Sequence, residues 1–274
     1  MVVCTAHAQR TMKPKLPGND YQKFLKTQWW LGLNAGINYT GVKASQTISS
    51  INPIDYDISE LAKSYSNYSE PGLNIGLVIS FYHHGFSLET QPGFKQHVYG
   101  FASGMNWEGN TPEQQFRTRL RSQQKLNYID LPIVFKYELI HTGRSRPFVG
   151  IGATYAFLIG AEKNTTITHT EFTSGEGRSY PGGKIIVHNE GQFDNFAAVK
   201  AGGGATFDLL NIRAVLEIYY NHGLSNISNE GSRFQINELT TIGEVNDDLN
   251  LNHLSASLSL VFPLRYIDKT FQAY

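Results

Sequence analysis

Residues 127–161 read NYIDLPIVFKYELIHTGRSRPFVGIGATYAFLIGA, and a period of two runs through both halves of the stretch. In the first limb Ile129, Leu131, Ile133, Phe135 and Tyr137 share one face, and Asp130, Pro132, Val134 and Lys136 share the other. In the second, Pro147, Val149, Ile151, Ala153, Tyr155, Phe157 and Ile159 oppose Phe148, Gly150, Gly152, Thr154, Ala156 and Leu158. Side chains of a strand alternate between faces, so each limb is a strand with two different environments. The polar run His141 to Arg146, which contains Gly143, is the turn between them. In a soluble sandwich the apolar face points inward. In a transmembrane barrel it points outward to lipid, and the small and polar face fills the lumen.

Six more segments alternate in the same way, centred on residues 31–39, 72–82, 86–101, 197–207, 212–221 and 254–264. The connections between the eight alternate strictly in length. Polar stretches of roughly 20 to 30 residues (40–70, 101–124, 162–192, 222–248) take turns with tight ones such as His83-His84-Gly85 and Asp208-Leu209-Leu210-Asn211. Nothing in a soluble sandwich segregates loop length to one side. Outer-membrane barrels do so, with an even strand count, short periplasmic turns and long extracellular loops. The expectation is therefore an all-β, eight-stranded antiparallel up-and-down transmembrane barrel over residues 29–264, with four long extracellular loops.

Composition removes the alternatives. No apolar run approaches the ~18 residues of a membrane-spanning helix. Lys+Arg and Asp+Glu are both 23, so no net field draws the chain to nucleic acid. The start, MVVCTAHAQ, resembles the end of a secretory signal with a small-x-small site at Ala6-His7-Ala8. Residues 1–8 are read as its remnant, 9–28 as a periplasmic lead-in and 265–274 as a periplasmic tail. Cys4, the one cysteine, lies in that remnant.

The 15 Tyr and 16 Phe sort by strand end into two belts, as the two membrane interfaces favour. Trp29, Trp30, Phe81, Tyr82, Phe86, Tyr137, Phe148, Phe207 and Phe262 are expected at the periplasmic rim. Tyr39, Tyr99, Tyr128, Tyr155, Phe157, Phe196, Tyr219 and Tyr220 are expected at the outer rim.

The polar face puts Asn34, Asn74, Glu89, Lys95, Asp130, Lys136, Lys200, Arg213 and Glu217 in the lumen. Eight strands enclose a space that side chains fill, so these groups are read as a hydrogen-bonded plug with paired charges. A permeation or ligand path is the alternative. No metal, phosphate-loop or cofactor motif is present. For an enzyme, the candidates at the outer rim are His169 with Glu171, and Asp247-Asp248 with His253. The same two aspartates with Glu244 offer Ca²⁺ ligands, against the simpler reading of a solvated acidic loop.

Tyr128-Ile129-Asp130-Leu131-Pro132-Ile133-Val134-Phe135-Lys136-Tyr137 resembles a strand signature of the PorT-like outer-membrane β-barrel family of Bacteroidota, and Arg146-Pro147-Phe148-Val149-Gly150-Ile151-Gly152-Ala153 resembles its next strand. The resemblance spans about Trp29 to Leu264. It implies a non-enzymatic barrel that serves as a structural or docking subunit of an envelope complex, in its sharpest form with type IX secretion or gliding machinery. A small channel or ligand-binding barrel is the second form. The implied partners are outer-membrane lipid, lipopolysaccharide and other outer-membrane or periplasmic proteins. The resemblance carries no catalytic residues and no cofactor.

Overall fold

The computed structural model describes residues 27–48, 63–111, 114–140, 145–173, 175–209, 212–234 and 244–264. The expected signal remnant, the tail 265–274 and all but the last residues of the lead-in lie outside them. The strands are β1 (Thr27–Gln46), β2 (Ser64–Ser66), β3 (Pro71–His83), β4 (Phe86–Thr90), β5 (Gly93–Glu108), β6 (Gln115–Glu138), β7 (Ser145–Glu171), β8 (Arg178–His188), β9 (Phe196–Leu209), β10 (Ile212–Asn226) and β11 (Asp248–Pro263).

All are antiparallel neighbours in one sheet that closes, because β1 pairs with both β3 and β11 while β6 pairs with both β5 and β7. Eight strands make the ring. β4 and β5 act as one of them, interrupted only where Pro92 lacks a ladder N–H, since Ile79↔Thr90 and Gly76↔Gly93 keep a common register. β2 and β8 stand outside the ring, on the upper parts of β5 and β7.

The short turn between β3 and β4 has His84 at φ 47° and Gly85 at φ 88°. Positive φ at both central residues is the type I′ geometry, whose twist matches the flanking strands. At the other end, two of the four expected polar loops are strands instead. β5 and β6 continue as a paired ribbon over 101–108 and 115–124, and β7 with β8 converts most of 162–192 into a second. Their polar alternation carries no lipid-facing signal, yet the backbone groups of residues clear of the membrane still find partners in the ladder.

β-Bulges reset the pattern. Asn127↔Gly160 is followed by Tyr128↔Leu158, which leaves Ile159 as an extra residue on β7. Beyond it the inward positions change from even to odd numbers, so Ala161, Lys163, Thr165 and Ile167 are buried.

Candidate functional site

The outer surface carries the apolar band. Leu33, Ile75, Ile133, Ile151, Ile218 and Leu258 are all between 51 and 66% exposed. At the short-turn end Trp29, Phe86, Tyr137, Phe207 and Phe262 face outward, and Trp29 packs on Phe81 with ring centroids 5.0 Å apart. At the far end Tyr155, Phe157 and Tyr220 do the same, with Tyr39 half-buried. Trp29 and Tyr39 stand ten residues apart on β1. At ~3.3 Å per residue and a tilt of ~40°, that is about 25 Å, the height of a barrel's apolar band.

Several expected interface rings are inside instead. Trp30, Tyr82, Phe148 and Tyr219 form a buried cluster with Val78, Val134, Val215 and Val261. Tyr99, Tyr128 and Phe196 belong to a second buried cluster nearer the long-loop end. Parity explains the correction: adjacent residues of a strand face opposite ways, so Trp29 and Trp30 cannot both meet lipid. The inward rings have partners. The Arg213 guanidinium lies 4.0 Å from the Trp30 ring centroid and 5.5 Å from that of Tyr82. The Lys136 ammonium sits 4.9 Å from Phe148, and that of Lys200 4.3 Å from Tyr219.

The lumen is filled in layers. At the short-turn mouth, Asp208 takes Arg146 and Arg213, and Glu138 accepts from Tyr82 Oη at 2.9 Å. Above it, Lys136 bridges Glu89 and Glu217. Gln91 donates to both carboxylates at 2.6 Å and accepts from Asn34 at 3.1 Å, while Ser257 donates to Glu217 at 3.2 Å. The next layer holds the Lys95–Asp130 pair, with Thr154 donating to Asp130, and Lys200, which has no carboxylate within salt-bridge reach among the described residues. Asn74 is half-buried beside it. His97 and His253 stack edge-on at 4.6 Å, His97 sharing a hydrogen with Thr40 Oγ1 at 3.0 Å. The apolar plug of Tyr99, Leu126, Tyr128, Phe196, Leu249 and Leu251 closes the space above. The cavities beside the charged layers are about 20 and 30 Å³, room for a water or so each.

A polar roof covers the plug, built from the residues read as a solvated acidic loop. Glu244, Asp247 and Asp248 are buried, each with its own cation: Lys163 at 3.0 Å, Lys63 at 2.9 Å and Arg233. Tyr65 Oη also donates to Asp247 at 2.6 Å. Burial pushes the Lys63 ammonium below its usual range, against the pull of Asp247. Burial and the Asp247 carboxylate push the Tyr65 phenol well above its own.

Neither acid–histidine candidate assembles. Asp247 and Asp248 are engaged by their cations, whereas His253 is packed against His97 within the barrel. His169 shares a hydrogen with Thr118 at 3.0 Å and lies between the rings of Phe116 and Tyr180. Among the described residues, no group of three or more His, Cys, Asp or Glu side chains is placed to hold a metal.

A model of the outer membrane protein beta-barrel domain matches residues 8–229 of the chain. The chain belongs to this family. It is a bacterial outer-membrane barrel, and the match is to the general domain rather than to the PorT-like group. Among solved structures, Ail of Yersinia pestis, crystallised with the heparin analogue sucrose octasulfate, is similar at 9% identity and TM-score 0.30, covering 86% of this chain and 99% of that one. Neisserial surface protein A is similar at 9% identity and TM-score 0.32, covering 84% and 95%. The outer membrane protease OmpT of Escherichia coli is similar at 10% identity and TM-score 0.28, covering 86% and 95%. A search of curated proteins returns no match.

Proposed function

We propose that the protein is a non-enzymatic, non-conducting outer-membrane anchor that works as a docking subunit of an envelope complex. The observation that carries this reading is the contrast between the two parts of the barrel. Within the membrane band the lumen is packed with paired charges and two apolar clusters. Beyond the band, the β5–β6 and β7–β8 ribbons raise a sheet clear of the lipid. Among the described residues β8 pairs with β7 alone, so its second edge is open to another strand. Ile186 and Tyr180 are exposed on it.

In its sharpest form the complex is the type IX secretion or gliding machinery, supported by the likeness of residues 128–137 to the PorT-like strand signature. A photo-crosslinking residue at Ile186, followed by purification in mild detergent, tests the docking role. The expected product is a discrete cross-linked species with an outer-membrane or periplasmic protein. A barrel that always elutes alone and uncross-linked ends this reading. Planar-bilayer recording tests the other half: a steady unitary current through the intact chain means that the lumen conducts.

A further inference from the structure

Above the apolar band, the outward face of β6 continues as Lys125, Gln123, Arg121, Arg119 and Arg117. Residues directly opposite one another on antiparallel strands present their side chains to the same face. Arg121 is paired with Thr166 of β7, and Thr166 with Lys184 of β8, so one row reads arginine, threonine, lysine. The row below the ribbon tip places Arg119 beside Thr168. All three cations are exposed. On the other flank the neighbours are Ala102 and Gly104, too small to cover a guanidinium.

Besides these cations, Lys43, Arg117, Arg178 and Lys200 lack a carboxylate within salt-bridge reach among the described residues, but most of the buried cations, and one on this same face, are matched. Lys125, lower on the same face, is matched by Glu162 at 3.5 Å, and Arg117 donates to Asn106 at 2.8 Å. The lumen cations Lys95, Lys136, Arg146, Lys163 and Arg213 each meet a carboxylate. Arg119, Arg121 and Lys184 have no acidic partner among the described residues. Their face is the one that Ile129, Leu131 and Ile133 present to lipid further down the same strand. Arg121 stands eight residues above Ile129, or about 20 Å at the strand rise and tilt of a barrel. That height is above the hydrocarbon and level with the sugars of an outer-leaflet glycolipid.

We propose that Arg121, Thr166 and Lys184, extended by Arg119, form a seat for phosphate groups on the sugar portion of the surrounding outer-leaflet glycolipid. Strands β6 and β8 lie two strand spacings apart, roughly 10 Å. Both long side chains therefore reach a group held over Thr166, whose hydroxyl supplies a third donor. The guanidinium offers a planar fork suited to two phosphate oxygens, and the ammonium a point charge. Outward direction, height and missing counter-charges all fit a phosphorylated glycolipid. A soluble polyanion or an acidic protein would need none of the placement beside lipid.

The test uses the full chain in detergent, titrated with purified lipopolysaccharide and with the same material after chemical dephosphorylation. The double variant Arg121→Glu/Lys184→Glu is expected to weaken binding of the phosphorylated form at least about tenfold, from two lost charge-assisted contacts. The neutral double variant Arg121→Gln/Lys184→Gln is expected to fall between, and Arg178→Glu, on the opposite face of the ribbon, to bind as the parent does. A heat-modifiable gel shift verifies that each variant forms its barrel. Equal binding by parent and double variant overturns the proposal. So does equal binding of the phosphorylated and dephosphorylated glycolipid by the parent, or loss confined to a soluble polyanion or an acidic protein. Cross-linking at Ile186 is read separately, so the docking role and the glycolipid seat fail independently.

Discussion

Lys136 crosses the lumen from β6 to place its ammonium 2.7 Å from Glu217 on β10, while its other side holds Glu89 of β4. The neighbouring strands β4 and β6 are thereby tied across the lumen to β10 through one buried nitrogen. A buried pair contributes little beyond an apolar isostere, but removing one member leaves an uncompensated charge.

Lys136→Met is therefore expected to destabilise the barrel by about 3–5 kcal/mol, because Glu89 and Glu217 then face each other with only Gln91 between them. The triple variant Lys136→Met/Glu89→Gln/Glu217→Gln should recover most of that loss. Urea unfolding in lipid vesicles, followed by tryptophan fluorescence, measures both. A single variant as stable as the parent removes the network from the account of stability.

The turn between β3 and β4 gives a second expectation. Gly85 at φ 88° and His84 at φ 47° both occupy the left-handed region. Gly85→Ala should cost on the order of 1 kcal/mol in the same unfolding assay, and His84→Asn should be neutral or slightly stabilising, since asparagine tolerates that region better. Equal stability of parent and Gly85→Ala argues against this turn geometry.

The sequence makes the closed ring legible because two independent periodicities agree: alternation along each strand, and alternation of loop length between strands. Alternation also contains the answer for Trp30, Tyr82, Phe148 and Tyr219. They share parity with Gly32, Ser80, Gly150 and Glu217, yet ring chemistry alone points to an interface. Lys163 and its partner Glu244 are hidden for another reason. One inserted residue, Ile159, reverses the inward parity of β7 above it, and a bulge leaves no compositional mark. The burial of Asp247 depends on Lys63, which lies far away in sequence, and that of Asp248 on Arg233, 15 residues before it in the same long connection.

The roof has a predictable pH profile. Lys63 has a folded value below its usual 10.5, so the folded chain holds fewer protons than the unfolded one and roof stability rises as pH climbs towards 10.5. Tyr65 has a folded value above its usual 10.0, so its contribution is complete below pH 10 and fades as pH rises through the folded value. Hydrogen exchange over residues 63–66, corrected for the intrinsic rate, should show greatest protection near pH 10. Lys63→Met should flatten the rising limb and Tyr65→Phe the falling one. A profile that neither variant alters would separate these groups from roof opening.

Adjacent tryptophans provide the sharpest check on which way the strands face. Trp29 is 52% exposed and packs on Phe81 at the rim, whereas Trp30 is 7% exposed beneath the Arg213 guanidinium. Truncating a buried aromatic leaves a cavity and also strips Arg213 of its ring, so Trp30→Ala should cost about 3–5 kcal/mol. Trp29→Ala loses mainly interfacial contact and should cost about 1 kcal/mol or less, the ordinary range for a surface position. Brominated lipids should quench the fluorescence of Trp30→Phe, which keeps Trp29, far more than that of Trp29→Phe, which keeps Trp30. The third tryptophan, Trp107, lies on the upper part of β5 and contributes the same background to both. Stronger quenching in the variant that keeps Trp30 would invert the assignment of β1 faces, and with it the lumen positions of Asn34 and every residue that shares its parity.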